Sequence, residues 1–306
     1  TATPRPRLRV ENKNLWEKVG VGIVSTSRNI LVSARRNINM NVINKGANFI
    51  RSIEQIDTAD KKIGRKLFKN SNGIINNTAG RTKVAKARLL SDYEPTPNSQ
   101  AEQLRSQGYV NLGQIIDSGS ILSIQQQYDE LLDSEHSYAL REYDGDVYSR
   151  SVTKVHERIP ELGELLTDEI KEIVRNYYGS YTSVKTLHAW RNFHASDEVL
   201  QETEIYSDSW HCDGMVTDVV KLFINLSDVT EDKGPFHIIS RDASRELINE
   251  GYERNRDEMP DQVVDEENVQ KATGPAGTAM LCTTWNCFHR AGHIAEGNTR
   301  DIIQFQ

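Results

Sequence analysis

Apolar and polar positions divide the chain into three regimes. In the first, residues 19–53 carry apolar residues at mixed spacing, among them Ile23, Ile30, Leu31, Val42, Phe49 and Ile50. Arg28, Arg35, Arg36, Lys45 and Arg51 are interleaved with them. The pattern reads as helical and irregular. Helices packed on the main domain are favoured over a basic amphipathic helix lying on a membrane surface. Residues 61–69 form a dense basic cluster. Residues 71–80, rich in Asn and Gly, read as a loop, and residues 92–100, with Pro95 and Pro97, as a linker.

The second regime alternates helix and strand. Residues 101–107 predict a helix that Gly108 stops, and residues 109–112 a strand. Residues 120–132 and 159–178 repeat apolar positions at helical spacing, Ile121, Ile124 and Tyr128 in the one, Leu162, Leu166, Ile170 and Ile173 in the other. Residues 182–192 alternate as a strand does. From residue 200 onward the pattern is mainly β. Strands are predicted over 219–226, 236–239, 278–282 and 301–306, with turns at Gly234-Pro235 and at 274–277. Residues 242–270 are a long polar insertion between strands, placed to act as a lid. No internal repeat is visible.

Composition narrows the classes. The 306 residues suit one large domain or two modest ones. The charge pattern and the linker divide them into a basic extension, residues 1–95, and a main domain, residues 96–306. No apolar run approaches the roughly 18–20 residues of a transmembrane helix. No apolar stretch follows Arg5, Arg7 and Arg9, so no secretory signal is visible. Three cysteines are too few for a disulfide scaffold and lack zinc-site spacing, which predicts a reducing, cytoplasmic setting. The net charge of −7 hides an asymmetry: residues 1–100 carry +12 and residues 101–306 carry −19. The basic part suits a membrane surface, an anionic partner or an acidic face of its own protein. Nothing points to a specific nucleic acid, and the oligomeric state is not readable.

Candidate chemistry concentrates in the last hundred residues. In Trp210-His211-Cys212-Asp213, His211 and Asp213 are two apart, so on a strand both project from one face and converge on a metal. Cys212 then points the other way. His289 follows 78 residues after His211 and would be brought in by the fold. Two His and one carboxylate make the facial set of non-haem Fe(II) oxygenases, with open positions for a co-substrate and O2. His293 is a weaker rival to His289. Arg300 offers a planar fork suited to the far carboxylate of a dicarboxylate. Taken singly, each of these residues also reads as an ordinary strand, core or surface residue.

Together they resemble a family. His211-x-Asp213, the run Lys221 to Val229, Lys233-Gly234-Pro235-Phe236-His237, Gly274 to Thr278, His289-Arg290-Ala291-Gly292 and Arg300 are similar to the Fe(II)/2-oxoglutarate-dependent oxygenases of the phytanoyl-CoA dioxygenase type. The likeness is specific over residues 205–306, weaker over 101–112, and absent from 1–95. It implies a mainly β fold with flanking helices, a double-stranded β-helix of the jelly-roll or cupin kind; the helical N-terminal extension is read from residues 1–95 themselves. It implies His211, Asp213 and His289 as iron ligands and catalytic residues, with Arg300 as the clamp on 2-oxoglutarate. It implies Fe(II), 2-oxoglutarate and O2 as cofactor and co-substrates, release of succinate and CO2, and hydroxylation of an unactivated C–H bond in a small molecule. Asp213 sets the chain apart from halogenating relatives, which lack that carboxylate, and leaves desaturation or ring closure beside hydroxylation.

The chain departs from the family at Ala291, where a small hydroxylated residue often helps to hold 2-oxoglutarate. Asn192 and Thr278 are the candidates to supply that polar contact instead. The chain stops six residues after Arg300, short for such a domain, which suggests a further C-terminal segment. Trp210 and Trp285 flank the ligand segments, where core packing is favoured over a wall of the substrate pocket. Arg191 suits either the mouth of the site or a surface ion pair. The alternative to an enzyme is a metal-binding jelly roll with a regulatory or interaction role.

Overall fold

The computed structural model describes residues 74–213, 218–252 and 263–306. The readings of residues 19–53 and 61–69, and part of the proposed lid, lie outside them. Helix α1 (Ile74–Leu90) begins the described chain. Over residues 74–80 it replaces the loop expected over 71–80, whose first three residues lie outside the described ones. The good helix formers Lys83, Ala85, Lys86, Ala87, Arg88 and Leu89 carry the helix back through the Asn-rich stretch. Arg88 fastens it to the domain by donating from Nη2 to the Tyr177 carbonyl at 3.1 Å.

Helix α2 (Ser99–Gln107) is capped at one end by the Asn98 side chain and at the other by Gly108 at φ +86°. Gly108 is needed twice, because a Cβ there would also collide with Cys287 Sγ. Strand β1 (Tyr109–Gln114) and helix α3 (Ser118–Leu132), capped by Asp117, follow. A hairpin of β2 (Ser137–Tyr143) and β3 (Asp146–Val152) comes next. Hydrophobic periodicity predicts no strand here. The local signal is Asp144-Gly145, which turn at φ +50° and +87°.

After the short α4 (Val155–Arg158), a 3-10 turn over Pro160–Leu165 and α5 (Asp168–Tyr178) replace the single helix expected over 159–178. The break is local chemistry. Pro160 opens the tight turn, and Thr167 starts a new helix by accepting from the Ile170 N–H at 3.3 Å. Strand β4 (Leu187–Phe193) starts later than the alternation from 182 suggests. Then come α6 (Asp197–Glu202), β5 (Lys221–Asn225), β6 (Phe236–Ile238) and α7 (Arg241–Glu250). Helix α7 occupies the first part of the polar insertion, capped by Ser240 and Gly251. The chain continues with β7 (Gln270–Lys271), β8 (Thr278–Cys282), β9 (His289–Ala291) and β10 (Thr299–Phe305).

The strands form two antiparallel sheets. The large one runs β1-β8-β5-β10-β4-β3-β2 and the small one β7-β6-β9, with His211 bridged to His289 beside it. Phe223, Met280, Cys282 and Ile302 of the large sheet meet Phe236 and Ile238 of the small one in a core between the sheets. On its other face the large sheet presents Leu222, Ile224, Leu281 and Ile303 to Leu104, Ile121, Tyr128 and Ile173 of the helices. Full burial of each such side chain is worth about 1.5–3 kcal/mol. This is the expected double-stranded β-helix with helices on its outside. Among the described residues no helix is long and apolar enough to cross a membrane.

Candidate active site

His211 and His289 are joined by a reciprocal backbone pair, N–H to carbonyl at 3.1 and 3.0 Å. Their rings lie 4.2 Å apart between centroids. Each ring is oriented by its own chain: His211 Nδ1 lies 2.8 Å from the Ser209 carbonyl and His289 Nδ1 3.0 Å from the Cys287 carbonyl. A carbonyl only accepts, so both Nδ1 atoms carry the proton, and Nε2 of each ring is the metal-binding atom. Asp213 Oδ1 stands 3.9 Å from each Nε2. Two bonds of about 2 Å meeting at one ion reach at most about 4 Å, so the three atoms lie within range of one ion. The His211–Asp213–His289 set is therefore a candidate metal centre. Two imidazoles and one carboxylate are the donor set that suits Fe(II) with open positions.

The backbone explains the convergence. Trp210 and Cys212 pack with Ile239, Ile248 and Phe288 on the outside of the small sheet. His211 and Asp213, one residue out of phase, turn inward. The Asp213 N–H donates to the Thr284 carbonyl at 2.9 Å, which ties this segment to the approach to β9. Burial by itself would raise the Asp213 carboxyl. Lys221 above all, then His289 and His211, outweigh it and hold the group well below the usual carboxylate range.

Arg300 lies on β10 opposite Asn192 of β4, and Asn192 lies opposite Ser149 of β3. This row shares the inner face with Ile302, so Arg300 faces the space between the sheets. Its side chain is among the largest fully buried ones. With the Asn192 amide turned so that its oxygen accepts from Arg300 Nη2 (2.9 Å) and Trp190 Nε1 (3.3 Å), its nitrogen donates to Ser149 Oγ at 2.8 Å. Among the described residues, Arg300 Nε and Nη1 have no hydrogen-bond partner. Burial pushes the guanidinium down to about 10, against a smaller upward effect of Tyr206, so it stays charged at neutral pH. A buried cation with two unanswered donors is a seat for an anion, and a carboxylate matches its geometry.

The other candidates separate. Asn192 is beside Arg300, with its oxygen committed to the guanidinium and its nitrogen to Ser149. Thr278 is buried at the start of β8 with an unpartnered hydroxyl, packed where a Cβ on Gly274 would sit. Ala291 is half-buried, and its N–H donates to the Ser207 carbonyl at 3.0 Å. His293 is about half exposed, 3.3 Å from Asp208, and outside the metal set. Arg191 makes an ion pair with Asp301 and Asp129. Trp210 is core, with Arg290 over its ring at 4.9 Å. Trp285 is also buried and donates to Asp218 at 2.8 Å.

The site also contains Lys221, Thr284, Trp190 and Ser149, which sequence reasoning misses. Lys221 has a signal: a charge opening the otherwise apolar strand Lys221-Leu222-Phe223-Ile224. Thr284 has none, because its role depends on a contact with a residue 71 positions away.

No family model matches the chain, and no curated protein sequence matches it. Solved structures do. SnoK, a non-heme alpha ketoglutarate dependent carbocyclase from nogalamycin biosynthesis, aligns at a TM-score of 0.50 and 16% identity, over 69% of this chain and 85% of that one. EctD from S. alaskensis aligns at 0.49 and 17%, over 70% and 79%. EvdO2 from Micromonospora carbonacea var. aurantiaca, complexed with 2-oxoglutarate, aligns at 0.46 and 16%, over 71% and 93%. The likeness to SnoK shows the fold alone: the chain has the same kind of jelly roll.

Proposed function

We propose that the protein is an Fe(II)- and 2-oxoglutarate-dependent oxygenase that hydroxylates an unactivated C–H bond of a small molecule. One observation carries this reading. The His211–Asp213–His289 set and a buried Arg300 with two unpartnered nitrogens both face the interior of one sandwich. His211, Asp213 and His289 would hold the iron, and Arg300 would hold the far carboxylate of 2-oxoglutarate. When bound, iron, 2-oxoglutarate and O2 supply an oxidant strong enough for such a bond, with release of succinate and CO2.

The chain's own residues do the rest. The carbonyls of Ser209 and Cys287 fix the tautomers of the two imidazoles. Asn192, held by Ser149, fixes the plane of the Arg300 guanidinium. That makes it a positioning residue rather than a substitute for the hydroxyl that Ala291 lacks. The wall of Phe223, Phe236 and Ile302 keeps water from the interior. The carboxylate at Asp213 favours hydroxylation over halogenation. The domain is assigned to residues 96–306, with 1–95 as its basic extension. Three unpaired cysteines agree with a reducing, cytoplasmic setting.

The test is succinate formation from 2-oxoglutarate by anaerobically Fe(II)-loaded protein exposed to O2, against Asp213→Ala. Succinate from the native chain and none from the variant is the expected result. Equal output from both, or Fe(II) binding that survives the substitution undiminished, overturns the reading.

A further inference from the structure

Among the described residues, Asp213 is gripped on one side only. Its Oδ2 accepts from Lys221 Nζ at 2.8 Å and from the Thr284 hydroxyl, while Oδ1 is the oxygen that faces both histidines. Lys221 is mostly buried, with its side chain 13% exposed, at the start of β5 and opposite Cys282 of β8. Thr284 is fully buried, and its carbonyl also accepts from the Asp213 N–H. The two oxygens of one carboxylate are thus given different tasks.

This is costly to build. Burying an ammonium requires removing its water, and a neutral donor would satisfy Oδ2 as well. Lys221 instead brings a full positive charge next to a carboxylate that already has two imidazoles beside it. Two consequences follow. An oxygen that accepts two hydrogen bonds is a poor second donor to a metal, so the carboxylate is restricted to Oδ1. The ammonium also draws the carboxylate's charge toward itself and opposes a nearby divalent cation, which weakens the bond to the metal.

We infer that Lys221 and Thr284 form a clamp that holds Asp213 to donation through one oxygen, reserving for 2-oxoglutarate a metal position that a two-oxygen carboxylate would occupy. The inference rests on the oxygenase reading and assigns Lys221 and Thr284 as positioning residues within it. Lys221 trades metal affinity for co-substrate access. Its loss therefore weakens 2-oxoglutarate binding without weakening Fe(II) binding, which loss of a merely structural lysine would not do.

The experiment is an anaerobic titration with Fe(II), then with 2-oxoglutarate, following affinity and the visible charge-transfer absorption of the iron–2-oxo acid chelate. Wild type is compared with Lys221→Met, Lys221→Arg and Thr284→Val, with thermal melting as the control for folding. In Lys221→Met, Fe(II) binds as tightly as in wild type or more tightly. Its 2-oxoglutarate affinity falls by about tenfold or more, and the absorption band shifts or is lost. Lys221→Arg restores both, and Thr284→Val moves the same way by a smaller amount. A Lys221→Met protein with unchanged 2-oxoglutarate affinity and band overturns the clamp and leaves the oxygenase reading standing. Parallel loss of Fe(II) and 2-oxoglutarate, not restored by Lys221→Arg, assigns Lys221 a structural role and also overturns it. Should Lys221→Met fail to fold, Thr284→Val decides: a wild-type band and affinity there overturn the clamp. A wild-type protein that takes up neither Fe(II) nor 2-oxoglutarate overturns both readings.

Discussion

Arg191 and Arg300 stand on adjacent strands of the large sheet and are treated in opposite ways. Arg191 on β4 lies opposite Asp301 of β10, on the face that meets the helices. Its Nε and Nη2 donate to the two Asp301 oxygens at 2.7 and 2.6 Å, and Nη2 also reaches Asp129 of α3. Arg300, one residue before Asp301, faces the space between the sheets with one nitrogen answered and two not. The first arginine is closed and ties a helix to a sheet. The second is open: among the described residues two of its nitrogens have no partner. An unanswered buried donor is expensive to keep, and a buried guanidinium with two of them is a costlier case than a single neutral one.

Breaking the open member has the largest expected effect. Arg300→Met lowers 2-oxoglutarate affinity by about 100-fold, roughly 3 kcal/mol, because the buried fork is lost. The melting temperature holds or rises, since an incompletely paired buried charge has gone. Calorimetric titration with 2-oxoglutarate beside a thermal melt reads both. Undiminished affinity would place the co-substrate elsewhere.

Breaking the closed member reverses the pattern. Asp301→Asn leaves Arg191 with Asp129 alone and costs about 2 kcal/mol of stability. That is less than for a fully buried pair, because the Arg191 side chain is 22% exposed. The urea midpoint falls with an unchanged slope, and 2-oxoglutarate binding is unaffected. Loss of binding without loss of stability would mean that the two faces of β10 are coupled.

A smaller effect sharpens the comparison with a third arrangement, neutrality. His237 on β6 is buried, accepts from Arg290 Nε at 3.2 Å, and has no partner on Nε2 among the described residues. Burial first, then Arg290 and Lys271, push its imidazole down to about 3. An unfolded histidine titrates near 6.5, so between about 6.5 and 3 the unfolded chain binds a proton that the folded one refuses. Its contribution is complete above pH of about 6.5 and is lost as pH falls, by at most about 1.4 kcal/mol per pH unit. Chemical denaturation at pH 7, 6 and 5 should show a shallower acid slope for His237→Gln. Equal slopes would mean that the imidazole is hydrated in the folded protein.

Much of this arrangement is legible in the order of the residues. The two-residue period in Trp210-His211-Cys212-Asp213 already separates a packed pair from the candidate ligand pair, although the segment forms no strand and only His211 makes a β-bridge. The turn at Gly108 and the strands at 278–282 and 221–225 rest on equally local rules. Two boundaries fail for local reasons as well. Asn-rich composition hides the start of α1, and periodicity runs through the break at Pro160 and Thr167. The β2–β3 hairpin escapes a reading by periodicity, although Asp144-Gly145 marks its turn.

What the sequence alone determined, then, is the alternation of faces, the caps and turns, and the residue types from which a metal centre and an anion seat are made. Those depend on spacing within a few residues, and backbone geometry enforces spacing without help. Only the tertiary structure decided which arginine closes on a carboxylate and which stays open. It alone decided that Asn192 serves Arg300, and that Lys221 and Thr284 meet on one oxygen of Asp213. Each of those is a contact between segments far apart in the chain, and its distance is set by how two sheets pack and register, which local preference does not encode.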